Sequence, residues 1–160
     1  MFGLKKKNKL VRLGAIATGQ LMPITAVADQ VFSQKMMGDG FAITPSTGQI
    51  VAPAAGEIKT IAATKHAIMM TTATGLELML HLGLDTVELN GAPFTIQVNV
   101  GDQVKLGTPL VTMDLAAIQA AGKATTVMTV VTNMDQVTNL TTANNQAITA
   151  GEVAVEATLA

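Results

Sequence analysis

Leucine stands at positions 76, 78, 80, 82 and 84, and between them stand Glu77, Met79, His81, Gly83 and Asp85. A period of two is the signature of a β-strand with one buried face. A helix of the same sequence would scatter those leucines over opposite sides. Upstream, Lys65–Thr72 reads as a second strand, and Thr71-Thr72-Ala73-Thr74-Gly75 between the two is a turn signal, so the pair forms a hairpin. The two histidines of the chain, His66 and His81, sit one on each arm.

Loop length decides whether they meet. A two-residue loop at Ala73-Thr74 opposes Thr72 to Gly75, Met70 to Glu77, Ile68 to Met79 and His66 to His81. Opposed residues on one sheet face have Cβ atoms roughly 5 Å apart, close enough for two imidazoles to address one small group. A three-residue loop closing on Gly75 slips the register by one, which sends His66 to the other face and brings Ile68 and Met70 alongside the leucines. The pattern permits both.

Elsewhere, short apolar segments alternate with Gly, Pro, Asn and Asp. The expected strands are Gly14–Pro23, Phe41–Thr44, Gln49–Ala52, Gly56–Ala62, Phe94–Val98, Gln103–Leu106, Pro109–Asp114, Thr125–Thr132 and Glu152–Leu159. So many short strands at this spacing predict an all-β chain, an antiparallel sandwich or barrel. The clear helix starts on Asp114 as N-cap and stops at Gly122, and Thr86–Asn90 forms a single turn. A chain of 160 residues fits one domain. Its only aromatic residues are 4 Phe, so the core must be aliphatic and methionine-rich. Absent cysteine excludes disulfides, thiolate metal sites and a cysteine nucleophile.

The near-zero net charge hides an asymmetry. Lys5, Lys6, Lys7, Lys9 and Arg12 crowd the start, and from residue 13 onward 5 basic residues face all 11 acidic ones. An acidic body is a poor binder of nucleic acid, which needs clustered Lys and Arg on the folded surface. It suits docking to a basic protein. Residues 1–14 are expected to be a basic tail ahead of a domain at 15–160. The tail is either a solvated arm or a weak anchor for anionic membrane, with Phe2, Leu4, Leu10 and Leu13 as its apolar side. Arg12 interrupts the only candidate signal-peptide core, and no run reaches transmembrane length.

The segments Thr64-Lys65-His66-Ala67 and His81-Leu82-Gly83-Leu84-Asp85-Thr86-Val87-Glu88-Leu89 resemble the enzyme IIA domain of the glucose/glucoside class of the phosphoenolpyruvate-dependent sugar phosphotransferase system. Val31-Phe32-Ser33-Gln34-Lys35-Met36-Met37-Gly38-Asp39-Gly40, Val51-Ala52-Pro53 with Gly56, and Thr132-Asn133-Met134-Asp135 match as well, in the family's order over roughly residues 15 to 155. The chain departs at Thr18, Val27 and Ala28, where the family commonly has proline, and at Ala62 or Ala63, where an aromatic is common. The resemblance implies a barrel-sandwich hybrid with Greek-key or jelly-roll-like connections and one or two short helices. Both histidines then share one site, which favours the two-residue loop.

The resemblance further implies a cytoplasmic phosphotransferase, and a tail that binds anionic membrane would hold it at the inner face. It would take phosphate from the phosphocarrier protein HPr on His81 and pass it to the cysteine of a IIB domain, with no cofactor. His66 would support the phosphoryl group and Thr64 would fix the tautomer of His66. Asp39 and Asp85 would meet arginines of the phosphocarrier at the rim, although Asp85 lies about 13 Å from His81 along an extended strand unless Gly83 bends the chain. Met69, Met79 and Phe41 are docking surface or core, both readings being open.

The chemistry agrees with the residues. A neutral imidazole is a good nucleophile near pH 7, and a neighbouring N–H donor suits the charge that builds on phosphoryl oxygens. Two readings compete: a binding module that senses phosphorylation state, and a zinc-dependent hydrolase of related fold. The hydrolase needs a third protein ligand, such as Asp39 or Asp85, and a catalytic base. The two histidines alone could share zinc only between molecules.

Overall fold

The structure is a computed structural model, and it describes residues 9–160. Fourteen strands run as β1 Leu10–Gly14, β2 Gly19–Pro23, β3 Asp39–Pro45, β4 Gln49–Val51, β5 Gly56–Ile61, β6 Ala67–Thr72, β7 Glu77–Leu82, β8 Phe94–Ile96, β9 Gln103–Val104, β10 Pro109–Met113, β11 Val127–Val131, β12 Val137–Leu140, β13 Gln146–Ile148 and β14 Val153–Leu159. Two short helices, α1 (Gln30–Ser33) and α2 (Leu115–Ala120), complete the elements with three 3-10 turns. The large sheet has the order β13-β2-β3-β11-β7-β6-β5-β9, with β11 inserted between strands far from it in sequence. Two three-stranded sheets, β1-β14-β12 and β4-β10-β8, stand apart from it.

The main core joins all three sheets, so this is the expected all-β sandwich. Leu78, Leu80 and Leu82 of β7 are fully buried there with Phe41 and Ile43 of β3 and Val127 of β11. The small sheets close over them with Leu13, Ile50, Leu110, Val111 and Val155. Each such aliphatic side chain stabilises the fold by about 1.5–3 kcal/mol on burial. The helix at 115–120 is capped as its sequence predicts: Asp114 Oδ1 accepts from Ala117 N at 3.0 Å, and Gly122 follows at φ 76°.

A second, smaller core covers the other face of the large sheet. Ala42, Met79, Met128 and Val130 project outward from β3, β7 and β11, and Ile24, Val27 and Phe32 pack on them. This is why all five residues of β11 are buried. The segment that covers them is pinned through Asp29, whose side chain accepts from Val31 N at 2.9 Å at the start of α1.

Three expectations need correction. The domain does not begin at residue 15, because Leu10–Gly14 is a strand paired antiparallel with β14, with Val11 and Leu13 turned inward. The alternation of Val11 and Leu13 with Leu10 and Arg12 was hidden by the adjoining lysines. Met1–Asn8, with most of the basic cluster, lies outside the described residues. Second, Gly14–Pro23 is not one strand but β1 and β2, and β12 and β13 were not anticipated. Third, the hairpin closes through three residues.

In that hairpin, Thr72 N bonds to Leu76 O at 2.8 Å, Gly75 N to Thr72 O at 3.0 Å, and Gly75 takes φ 94°. A loop ending in a left-handed glycine is a standard three-residue connection. Ala67 therefore faces His81, and Ile68, Met70 and Thr72 join the leucine face. Burial decides this register: Ile68 and Met70 are 0% and 1% exposed, and the slipped alternative would turn both outward.

Candidate functional site

The histidines meet nonetheless. Their ring centroids lie 5.2 Å apart in an edge-to-face arrangement. The expectation that this register would separate them fails because alternation holds inside the ladder and His66 lies one residue beyond it. There Lys65 turns the chain at φ 62°, while Leu82 N still bonds to His66 O at 2.7 Å. His66 is thus tied to β7 through its backbone and free to aim its ring at the outer face.

His81 is held from several sides. It projects from β7 onto the outer face beside Met79 and against Phe32, whose ring centroid is 4.9 Å away at 57°. Its Nδ1 lies 2.8 Å from Gly83 O. A carbonyl only accepts, so Nδ1 carries the proton and Nε2 keeps its lone pair. Gly83 makes this contact possible: it takes φ 84°, and a Cβ there would stand 2.4 Å from Thr86 Cγ2. Thr86 in turn is fully buried and donates its hydroxyl to Leu82 O at 2.6 Å.

His66 has its own support, since Thr64 Oγ1 lies 2.7 Å from His66 Nδ1. When the hydroxyl donates, the proton of His66 sits on Nε2. Burial pushes the pKa of both imidazoles below the ordinary value. For His81, after burial, the Gly83 hydrogen bond pulls up, His66 pushes down, and Asp29 and Asp85 pull up. The result is a neutral, oriented imidazole with a free nitrogen at pH 7.

A cleft of about 250 Å³ opens over His81, with Phe32 and Met79 in its wall and Asp29 and Asp85 at its edges. Exposed Val31, Met37 and Val87 make the rim apolar. Asp85 reaches the cleft because the chain turns at Gly83 and again at Asp85 itself, φ 59°. Met79 is 8% exposed and belongs to the second core as well as to the wall.

Two expected partner-binding residues are placed elsewhere. Phe41 is 1% exposed in the main core, so it offers no docking surface. Its alternation in β3 points it inward, while its neighbour Ala42 faces outward. Asp39 does not line the cleft: it pairs with Lys35 at 3.4 Å and accepts from Gly40 N. It lies three residues along β3 from Ala42, which shares a rung with His81 across Met128. That is roughly 14 Å from His81 by ladder spacing.

The acidic residue that stands in this position instead is Asp29. It caps α1 in the structure, and nothing local in the sequence reveals that α1 folds back over β7. Among the described residues, no group of three or more His, Cys, Asp or Glu is placed to hold a metal. Likewise, no helix among them is long and apolar enough to cross a membrane.

Comparisons with known proteins point to one family. Residues 11–137 match the family model of the phosphoenolpyruvate-dependent sugar phosphotransferase system, EIIA 1. The glucose-specific EIIA component of the phosphotransferase system from Staphylococcus epidermidis is 39% identical over 156 residues, covering 97% of this chain and 94% of that protein. The glucose-specific EIICBA component from Streptococcus pneumoniae is 50% identical over 123 residues, which are 77% of this chain but 17% of that longer protein. In structure, the glucose permease IIA from Mycoplasma capricolum superposes with a TM-score of 0.84 at 32% identity, covering 96% of this chain and 99% of that one.

Proposed function

The chain belongs to the EIIA 1 family of the phosphoenolpyruvate-dependent sugar phosphotransferase system, and from that premise we propose that His81 is the residue that carries the phosphoryl group. The chain is a phosphotransferase component of that system and interacts with its other components. One observation carries the assignment to His81: its Nδ1–H is committed to Gly83 O, leaving Nε2 as the nucleophile in the cleft.

Nε2 attacks the phosphorus of an incoming phosphohistidine, the new N–P bond forms as the donor's N–P bond breaks, and the donor nitrogen leaves with its electron pair. The donor is the phosphocarrier protein HPr, and its cationic groups fit Asp29 and Asp85 at the cleft edges. His66 donates Nε2–H to the phosphoryl oxygens while Thr64 holds its Nδ1. Such a donor in a desolvated site is worth about 3 kcal/mol in the transition state.

Onward transfer goes to the thiolate of a IIB cysteine, and the same apolar rim of Val31, Met37 and Val87 serves both partners in turn. A glucose-class sugar is the cargo of that chain of transfers, by likeness to the staphylococcal and streptococcal relatives. The domain includes the strand Leu10–Gly14, and the lysines ahead of it, Lys5, Lys6 and Lys7, would draw the chain weakly to anionic membrane. Incubation with phosphoenolpyruvate, the general phosphotransfer enzyme and the phosphocarrier tests the proposal. An acid-labile label that disappears in His81→Ala supports it; a label that persists in that variant overturns it.

A further inference from the structure

Beside the histidines, two loops pack on each other, and each contains a non-glycine residue at positive φ: Lys65 at 62° and Asn90 at 54°. They touch through Gly91, where a Cβ would stand 3.3 Å from Lys65 Cδ and 3.5 Å from Thr64 O. Asn90 closes the 3-10 turn Thr86–Leu89, which carries Val87 to the rim of the cleft. Asn90-Gly91 is the one Asn–Gly pair in the sequence.

That pair has its own chemistry. Glycine has no Cβ to shield its backbone nitrogen, so this nitrogen can reach the side-chain carbonyl carbon of the preceding asparagine. Asn90 is exposed. Among the described residues, neither its side-chain amide nor Gly91 N–H has a hydrogen-bond partner. Asn90 N reaches Val87 O only at 3.3 Å. Asn90 takes the left-handed conformation at φ 54°, which asparagine visits more readily than most L residues, so no regular helix or strand holds the pair. Lys65, next to Gly91, belongs to none of the ion pairs of the described residues.

We propose that Asn90-Gly91 is a deamidation site beside the phosphoryl-transfer cleft, three residues past Val87 of its rim, where a neutral amide becomes a carboxylate. Gly91 N loses its proton and attacks Asn90 Cγ, a C–N bond forms, and Nδ2 leaves as ammonia with that proton. Water then opens the succinimide. Attack at Cγ gives aspartate with the main chain restored, and attack at the main-chain carbonyl gives isoaspartate, which lengthens the backbone by one methylene. No oxidant or reductant is needed. The product adds a negative charge on the loop that carries Val87 to the apolar rim.

The experiment incubates the folded full-length protein at mildly alkaline pH and maps deamidation by peptide mass spectrometry, with a urea-unfolded sample in parallel. The expected result is aspartate and isoaspartate at Asn90 in the folded protein, formed ahead of the six other asparagines. The rate should rise with pH, because the amide must lose its proton. The Asn90→Gln variant should lose the acidic form seen by isoelectric focusing, with a fall in melting temperature of no more than about 4 °C, because glutamine suits the left-handed conformation less well. An Asn90 that is modified in urea but stays intact in the folded protein overturns the proposal. So does an acidic form that persists in Asn90→Gln. The readout is mass and charge, so it stands apart from any measurement of phosphotransfer.

Discussion

Thr64→Val isolates one hydrogen bond of the site. The substitution keeps the shape of the side chain and removes the Oγ1 that lies 2.7 Å from His66 Nδ1. Among the described residues no other hydrogen bond depends on that hydroxyl, so the fold should not change. The net worth of one neutral hydrogen bond is about 1 kcal/mol. If the bond serves only to orient His66, its loss should slow transfer from His81 to a IIB cysteine by about fivefold. Removing the imidazole itself should cost far more, about 3 kcal/mol or roughly a hundredfold. Single-turnover transfer from the purified phosphorylated protein to the IIB domain measures both, and Thr64→Ser should recover the rate. A Thr64→Val protein as slow as His66→Gln would refute the positioning role, as would one with the wild-type rate.

Further expectations follow from the same geometry. His66→Gln should still take up phosphate from the phosphocarrier while onward transfer falls by orders of magnitude, because charge builds most when two anionic centres meet; equal losses in both half-reactions would contradict this. Because burial lowers the pKa of His81 and His66, the unfolded chain takes up protons first as pH falls. Stability should therefore be lost below about pH 6.5, the ordinary imidazole value, and a His81 that titrates above that value by NMR would show the sign to be wrong. Leu13→Ala should cost about 2–5 kcal/mol, since this fully buried side chain belongs to the core and not to a tail. Truncation through Arg12 should likewise lower the melting temperature, because it removes most of the strand paired with β14.

The sequence made the two-layer fold legible wherever burial alternates. The leucines of β7 announced their own strand, and Asp114 and Gly122 announced both ends of α2. It failed where a strand's signal was diluted. Val11 and Leu13 sit among charges, and β12 has only exposed and half-buried residues, so neither stood out. The hairpin register was a contest between turn chemistry and burial, and the burial of Ile68 and Met70 won. The site itself was legible in its histidines and in Thr64, because their partners lie within two residues along the chain. Its walls were not. Asp29, Val31, Phe32 and Met37 reach His81 only because Ile24–Phe32 covers a second apolar face, a tertiary arrangement with no local signature. For the same reason Phe41, on the neighbouring strand, was assigned to a surface that it does not form, while Asp39 lies outside the cleft.

The central claim is that the phosphoryl group is carried on one nitrogen of one ring, Nε2 of His81. Phosphorylation of the nitrogen-15-labelled protein, followed by NMR of the imidazole nitrogens, measures this directly. Coupling to phosphorus should appear at Nε2 of His81, while its Nδ1 keeps the proton donated to Gly83 O. Phosphorus on Nδ1 of His81, or on either nitrogen of His66, would contradict the account.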